Sequence, residues 1–378
     1  MLRLAWCALA IATTIAGCGD GEGGVRPDGG PRADGGGPRD ATSADEDAST
    51  ERDAWNEPDA SADRECALAL ACDAAAPDPG PEVDWRHSVA TRITTSMGAA
   101  RHRGRDLILR EGDPQWALAK FAYGVADDDL KDEDVAVYLL RGCGTTWEEL
   151  GVATTTDDEA HPTVEGVEDS GGRVYLEIPA SMRLGLGRHR IHFVVRGDHS
   201  TAEQIIEVLP ADARFVVTDV DGTQTESETA EWGAVFGGAD PGHNPSGPEL
   251  MTAYARRGYH VLYLTARPDW LSARTHEWLL AHGYPPGIVH TTLGLTGATG
   301  AAAITFKQGE LEALLARFPG ALDDAIGNTD TDTAAYANVG VPPERAFLYQ
   351  FDPGADGTRV DDYGTLIPMV EDRPALCE

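Results

Sequence analysis

The chain has 378 residues, with 30 Lys+Arg against 63 Asp+Glu, for a formal net charge of -33. Such length sets a prior of two or three domains. An acid excess this large argues against non-specific nucleic-acid binding, which needs cations on phosphates, and against adhesion to an anionic membrane by charge alone.

The first predicted element is a targeting segment, residues 1–18. Arg3 supplies a positive start, residues 4–15 are almost wholly apolar, and Ile15-Ala16-Gly17-Cys18 closes the run with small residues. The run is too short to span a bilayer comfortably, and no later stretch is long and apolar enough to do so. It resembles a bacterial lipoprotein signal. That resemblance implies that Cys18 carries the lipid and that the protein is exported and lipid-anchored to a bacterial membrane, on its periplasmic or cell-surface side.

Residues 19–85 are built from Gly, Asp, Pro, Ala and Ser. Too little apolar surface is present to offset ordering entropy, so this stretch reads as a disordered acidic tether. The exception is Ala67-Leu68-Ala69-Leu70-Ala71, between two cysteines. Of the six cysteines, Cys7 leaves with the signal and Cys18 is the lipid site. Cys66, Cys72, Cys143 and Cys377 remain in an oxidising compartment, and four cysteines allow three pairings. Local pairing of Cys66 with Cys72 is favoured, leaving Cys143 for Cys377.

From 86 to 210 the texture changes to short apolar runs rich in β-branched and aromatic residues. They include Leu107-Ile108-Leu109, residues 116–123, 135–140, 174–178, 189–195 and 204–209. Turn signals such as Ser170-Gly171-Gly172 separate them. Evenly spaced short strands predict an antiparallel, immunoglobulin-like β-sandwich. It holds no recognisable chemical constellation, and its histidines are scattered.

From 211 to 378 strands alternate with helices. Strands are predicted at 214–220, 260–265, 288–292, 322–327 and 346–351, and helices at about 247–257, 269–282, 305–318 and 330–338. Glu310, Leu311, Leu314, Leu315 and Phe318 form an amphipathic stripe on the third helix. This alternation predicts a parallel α/β sheet, whose ligands sit at the carboxyl ends of the strands.

The polar motifs fall at those ends. Asp219-Val220-Asp221-Gly222-Thr223 follows the apolar run 214–218. Thr265-Ala266-Arg267 ends the next strand. Lys307 stands at the start of a helix, and Gly327-Asn328-Thr329-Asp330-Thr331-Asp332 follows another strand. Carboxylates two apart on a strand share a face, and a divalent cation with a phosphoryl group would use them. In this order the motifs resemble the haloacid-dehalogenase (HAD) superfamily of phosphohydrolases, which implies a Rossmann-like parallel sheet. The finer resemblance, over 214–352, is to lipin-type phosphatidate phosphatases and their relatives among phosphatidylinositol-transfer proteins. It is carried by residues 215–223, 258–267, Phe306-Lys307, 327–336, Val339-Gly340-Val341-Pro342 and Phe347. Thr265 departs from it, since lipins usually have Ser there.

The chemistry implied is a carboxylate attack on phosphorus. Asp219 is the expected nucleophile, forming an aspartyl-phosphate. Asp221 is the expected general acid. Mg²⁺ and Lys307 would offset the repulsion between these acids and an anionic phosphate. The resemblance places Mg²⁺ on the Asp219 carboxylate, the Asp221 carbonyl and Asp332, with Asn328 as a further ligand or an orienter. Thr265 would donate to the phosphoryl group. Gly222 and Thr223 would turn the backbone around substrate. Arg267 would either clamp phosphate or pair within the fold, and Asp330 would cap a helix.

About 40 residues separate Thr223 from Thr265, and about 40 separate Thr265 from Lys307. Each interval is filled by a core helix and strand, so the domain is expected to be capless, with residues 237–245 as a rim. An open site suits a phosphorylated lipid reached from a membrane anchor. The expected activity is Mg²⁺-dependent hydrolysis of phosphatidate to diacylglycerol and phosphate. Two alternatives stand beside it: a non-catalytic phosphatidate-binding module, as in the transfer-protein relatives, which tend to lose the catalytic aspartates; and an exported phosphatase of soluble phosphoesters. No nucleic-acid partner is expected.

Overall fold

Strand β10 (Thr201–Leu209) is buried along nearly its whole length, and that fact organises the molecule. Alternate residues of a strand face opposite sides. Ile206 and Val208 of β10 enter one core; Ile205 and Leu209 enter a second. The computed structural model describes residues 65–227 and 241–377. The signal, Cys18, the tether up to residue 64 and residues 237–240 of the expected rim lie outside the described residues.

Helix α1 (Ser88–Ser96) leads into the sandwich. Its strands are β1 (Arg103–Gly104), β2 (Leu107–Arg110), β3 (Trp116–Lys120), β4 (Ala122–Tyr123), β5 (Asp128–Asp129), β6 (Asp134–Leu140), β7 (Trp147–Thr154), β8 (Arg173–Glu177), β9 (Gly187–Val195) and β10. Sheets β1-β3-β8 and β2-β10-β9-β6-β7 enclose a core containing Leu109, Leu118, Phe121, Val137 and Phe193. The expected sandwich is therefore present. It is not wholly antiparallel, because β2 runs parallel to β10. Strand β7 was not legible in sequence: it lies at the sheet edge with both faces partly exposed, so it lacks the apolar alternation that marks a strand.

The α/β domain has a six-stranded, wholly parallel sheet in the order β13-β12-β11-β14-β15-β16. The strands are β11 (Phe215–Thr218), β12 (His260–Leu264), β13 (Ile288–His290), β14 (Leu322–Gly327), β15 (Ala346–Tyr349) and β16 (Thr358–Val360). The helices are α2 (Gly247–Arg256), α3 (Ser272–Ala281), α4 (Ala301–Arg317), α5 (Asp330–Asn338) and α6 (Ile367–Glu371). Leu311, Leu314 and Phe318, from the expected stripe, pack under one face of the sheet with Phe215, Val217 and Leu264. Lys307 does not start its helix, as expected; α4 begins at Ala301 and places it in the second turn.

The second core includes Ile108, Leu140, Ile205 and Leu209 of the sandwich beside the sheet residues. Buried charges stitch the same boundary. Asp106 accepts from the backbone N–H of Ile205 (2.8 Å) and Val289 (3.1 Å) and faces His276 Nε2 at 2.8 Å. Burial alone would raise its carboxyl, but His276 and the two amides hold it below the usual range. Glu310 is likewise opposed by burial, yet Arg105 and His290 bring it down to about 2. Both histidines, given no role in sequence, are interface residues.

Residues 65–85, assigned above to the tether, are held to this body. Cys66 pairs with Cys377 and Cys72 with Cys143, which corrects the expected Cys66–Cys72 and Cys143–Cys377 pairing. The reason is topological: Cys66 N–H donates to Arg256 O beside the carboxyl-terminal segment, whose Leu376 N–H donates to Arg257 O.

A non-reducing digest is expected to yield peptides joined through Cys66–Cys377 and Cys72–Cys143; a Cys66–Cys72 peptide would contradict the fold. These bridges span 311 and 71 residues, and replacing Cys66 and Cys377 by Ser is expected to cost about 2–5 kcal/mol. Asp106→Ala strands two amides and a histidine at the boundary and should cost about 3 kcal/mol in urea unfolding. Asp361→Ala, at an exposed pair with Arg359, should leave the urea midpoint essentially unchanged.

Candidate functional site

Strand β11 lies where the sheet order reverses: β12 and β13 extend to one side, β14 and β15 to the other. Crevices form outside the carboxyl ends of strands at such switch points. All four residues of β11 are buried, so the chain leaves it with Asp219 below the surface and Asp221 at the entrance. Gly222 turns the chain at φ +70°, a conformation glycine adopts without a Cβ clash. Its N–H donates to Thr225 Oγ1.

Asp219 is buried, and its oxygens are engaged separately. Oδ1 accepts from Lys307 Nζ at 2.7 Å, and Oδ2 accepts from the Thr223 hydroxyl at 3.0 Å. Lys307 also donates to Asp332 Oδ1. Asp332 Oδ2 accepts from the N–H groups of Asn328 (3.0 Å) and Thr329 (3.1 Å) and the Thr329 hydroxyl (2.8 Å), closing a capping box at the start of α5. A Cβ at position 327 would lie 2.5 Å from the Asp332 Cβ, so glycine there lets Asp332 approach. Thr223 Oγ1 also meets Asn328 Oδ1 at 2.9 Å. Asp330 sits exposed on the first turn of α5, away from this cluster.

Asp221 is locked from the other side. Arg267 approaches it in bidentate fashion, Nε at 2.8 Å from Oδ2 and Nη2 at 2.7 Å from Oδ1. The Thr265 hydroxyl donates to Oδ2 at 3.0 Å. Arg267 Nη1 reaches Thr275. Of the two roles open to Arg267 in sequence, the structure shows pairing within the fold. The backbone N–H groups of Asp221 and Ala266 have no acceptor among the described residues.

Sequence reasoning missed two supports of this loop. Asn244 donates to the carbonyls of Gly222 (3.1 Å), Thr223 (2.8 Å) and Thr225 (3.0 Å). The Tyr363 hydroxyl donates to Thr223 O at 2.9 Å. Only the inclusion of Asn244 in the expected rim hinted at either.

Asp219, Asp221 and Asp332 face Lys307 and Arg267 here, one negative charge in excess. Asp219 shows the consequence. Burial, outweighing Lys307 and aided by Asp332 and Asp221, pushes its carboxyl up to about 7. The donor set fits a divalent cation chemically: hard oxygens on Asp219, Asp332 and Asn328, the Asp221 carbonyl, and a surplus anion to neutralise. Among the described residues no cluster of three or more His, Cys, Asp or Glu is poised around a metal position.

Known proteins share both domains. Residues 216–350 match the family description "PITM 1-3, LNS2 domain", and residues 100–208 match "PITM 1-3, beta-sandwich domain". The full relatives carry the same theme. Membrane-associated phosphatidylinositol transfer protein 2 of Mus musculus is 29% identical over 270 residues, covering 71% of this chain and 18% of the relative. Protein retinal degeneration B of Drosophila melanogaster is 28% identical over 298 residues, covering 78% and 21%. Membrane-associated phosphatidylinositol transfer protein 3 of Homo sapiens is 27% identical, covering 73% and 26%. The chain thus spans about a fifth to a quarter of these relatives' length. The lipin-type assignment is corrected: the matches lie with transfer proteins. The motif residues carried a resemblance to both groups, so they did not separate the two.

The pH dependence has a definite sign. Asp219 ionises near its ordinary 3.8 when unfolded and at about 7 when folded. Between those values the folded state binds the extra proton, so stability falls as pH rises through the window. In chelator, the thermal midpoint of the wild type should gain on that of Asp219→Asn as pH drops from about 8 to about 5. Parallel midpoints would contradict the assignment.

Proposed function

We propose that the α/β domain is a phosphomonoester-binding module of the HAD type. Its ligand is the headgroup of a phosphatidate-like lipid, which it holds rather than turns over. The observation that carries this reading is the Asp221 lock: both carboxylate oxygens are spent on Arg267 and Thr265. A general acid has to carry a proton to a leaving oxygen, and a carboxylate gripped by a guanidinium fork is held as the acceptor. The names of the relatives, which state phosphatidylinositol transfer and membrane association, point the same way.

Within this reading the bound phosphate meets the Asp221 and Ala266 amides and the Lys307 ammonium, while the Thr265 hydroxyl stays on Asp221. Asp219, Asp332, Asn328 and the Asp221 carbonyl would hold Mg²⁺, which supplies the positive charge that lets a dianion approach three carboxylates. No helix among the described residues is long and apolar enough to cross a membrane. Access to lipid in this proposal comes from export and the lipid on Cys18.

One observation favours a second reading, hydrolysis through an aspartyl-phosphate. Asp219 and Asp221 are both present, with Lys307 2.7 Å from Asp219. Release of the Arg267 grip on substrate binding would be required.

Titration calorimetry with short-chain phosphatidate and Mg²⁺ tests the proposal. Binding is expected, weakened about tenfold by Thr265→Ala, which removes the hydrogen bond that steadies Asp221 and so the amide that meets the phosphate. Phosphate release is expected to match that of Asp219→Asn. Release above that blank from phosphatidate would select the second reading, and release only from soluble phosphoesters would select an exported phosphatase of small substrates. Absence of both binding and release would reject a phosphate site.

A further inference from the structure

Helix α1 is mounted with its apolar face outward. Thr91 is buried at 4% exposure, and Thr94 and Thr95 are partly buried beside it. On the other face Val89, Ile93 and Met97 recur at helical spacing with exposures of 76%, 61% and 52%. A helix packed for the stability of its own domain does the reverse. Polar contacts fix this orientation. The buried carboxylate of Glu133 accepts from the N–H groups of Arg86 (2.9 Å) and His87 (3.0 Å) and from the Thr91 hydroxyl. The helix is therefore gripped at its amino end and threonine face, and its aliphatic stripe is left to solvent.

The stripe continues toward the phosphate site. Gly124 N–H donates to Ala99 O at 2.9 Å, which brings Val125, 81% exposed, beside Met97. The Arg101 guanidinium lies 4.3 Å over the Trp270 ring. Trp270 follows Arg267 by three positions, and its Nε1 donates to the carbonyl of Leu295, itself 43% exposed. Ala298 N–H donates to Ala266 O. These loops follow β12 and β13, at the same ends of the sheet as Asp219 and Asp221.

Charge in the segment that carries α1 departs from the rest of the chain. Residues 85–105 hold five arginines and no Asp or Glu, in a protein of formal net charge -33. Arg86, Arg103 and Arg105 are spent on ion pairs. Arg92, exposed on α1, and Arg101 form no ion pair with a described residue.

We propose that this face, Val89, Ile93, Met97 and Val125 flanked by Arg92 and Arg101, docks on the surface of an anionic phospholipid bilayer and presents the neighbouring site to lipid headgroups. Aliphatic side chains enter the interfacial zone while arginines stay with the lipid phosphates. The headgroup assignment of the previous subsection gives this face its purpose; the docking itself is tested separately.

The full chain carrying Cys18→Ala, so that no anchor contributes, is sedimented with vesicles of phosphatidylcholine alone, with added phosphatidylserine, and with added phosphatidate. The same is done for a variant that also has Val89→Ser, Ile93→Ser and Met97→Ser. Binding to both anionic vesicles is expected, with a loss of about tenfold or more in the variant. Calorimetric binding of short-chain phosphatidate should be unchanged. If short-chain phosphatidate does not bind either protein while vesicle binding still depends on the stripe, the headgroup reading fails and the docking stands. Equal sedimentation of the two proteins overturns the docking. So does a concentration-dependent dimer that the three serines abolish, which would give the face to a second copy. Absence of vesicle binding by the protein with the intact stripe also overturns it.

Discussion

A charge taken out of water needs an opposite charge in contact, and in this protein Lys307 serves two acids at once. It links Asp219, at the end of β11, to Asp332, in the first turn of α5. Through Asp332 the same lysine bears on the capping box that starts α5; through Asp219 it bears on the turn at Gly222. Leaving any one of the three alone would strand an ion at a cost of several kcal/mol. Strand end, helix start and α4 are therefore fixed together, and the crevice at the end of β11 is what lies between them.

The sandwich belongs to the same arrangement. Its β10 contributes Ile205 and Leu209 to the core of the α/β domain. Arg103 of β1 pairs with Asp269 at 3.0 Å, two residues beyond Arg267. Arg101 stacks on Trp270, the next residue. The loop that holds the Asp221 lock is thus fastened from the sandwich. A separable spacer would not need buried ion pairs at its boundary, so this domain acts as part of the site's frame.

The two aspartates read differently once their partners are known. Asp219 is deep, raised by burial and tied to a lysine that a cation could partly relieve. Asp221 is at the mouth and tied to an arginine. In the proposed reading the second arrangement is what separates a headgroup binder from a hydrolase. The matches lie with transfer proteins, while the presence of both acids keeps the hydrolytic reading testable.

The chain's local order was legible. The alternation of strand and helix and the positions of β11 to β15 follow from apolar runs of fixed period with polar motifs at their ends, while the meeting of Asp219, Lys307 and Asp332 was what the family resemblance implied. A strand buried on both faces, or a carboxylate at its carboxyl end, leaves its mark in neighbouring residues. Edge strands β7 and β16 left no such mark, because half-exposed strands tolerate any alternation. What only tertiary structure decided were contacts between residues far apart in sequence: Cys66 with Cys377, Asp106 with His276, Arg267 with Asp221 rather than with a ligand, and the outward mounting of α1. Each depends on which surfaces the fold brings within a few ångströms, and Coulomb and hydrogen-bond energies at that range have no trace in local composition. The sequence by itself determined that an acid-lined crevice would form at the end of β11; the packing around it decided how each acid there is held.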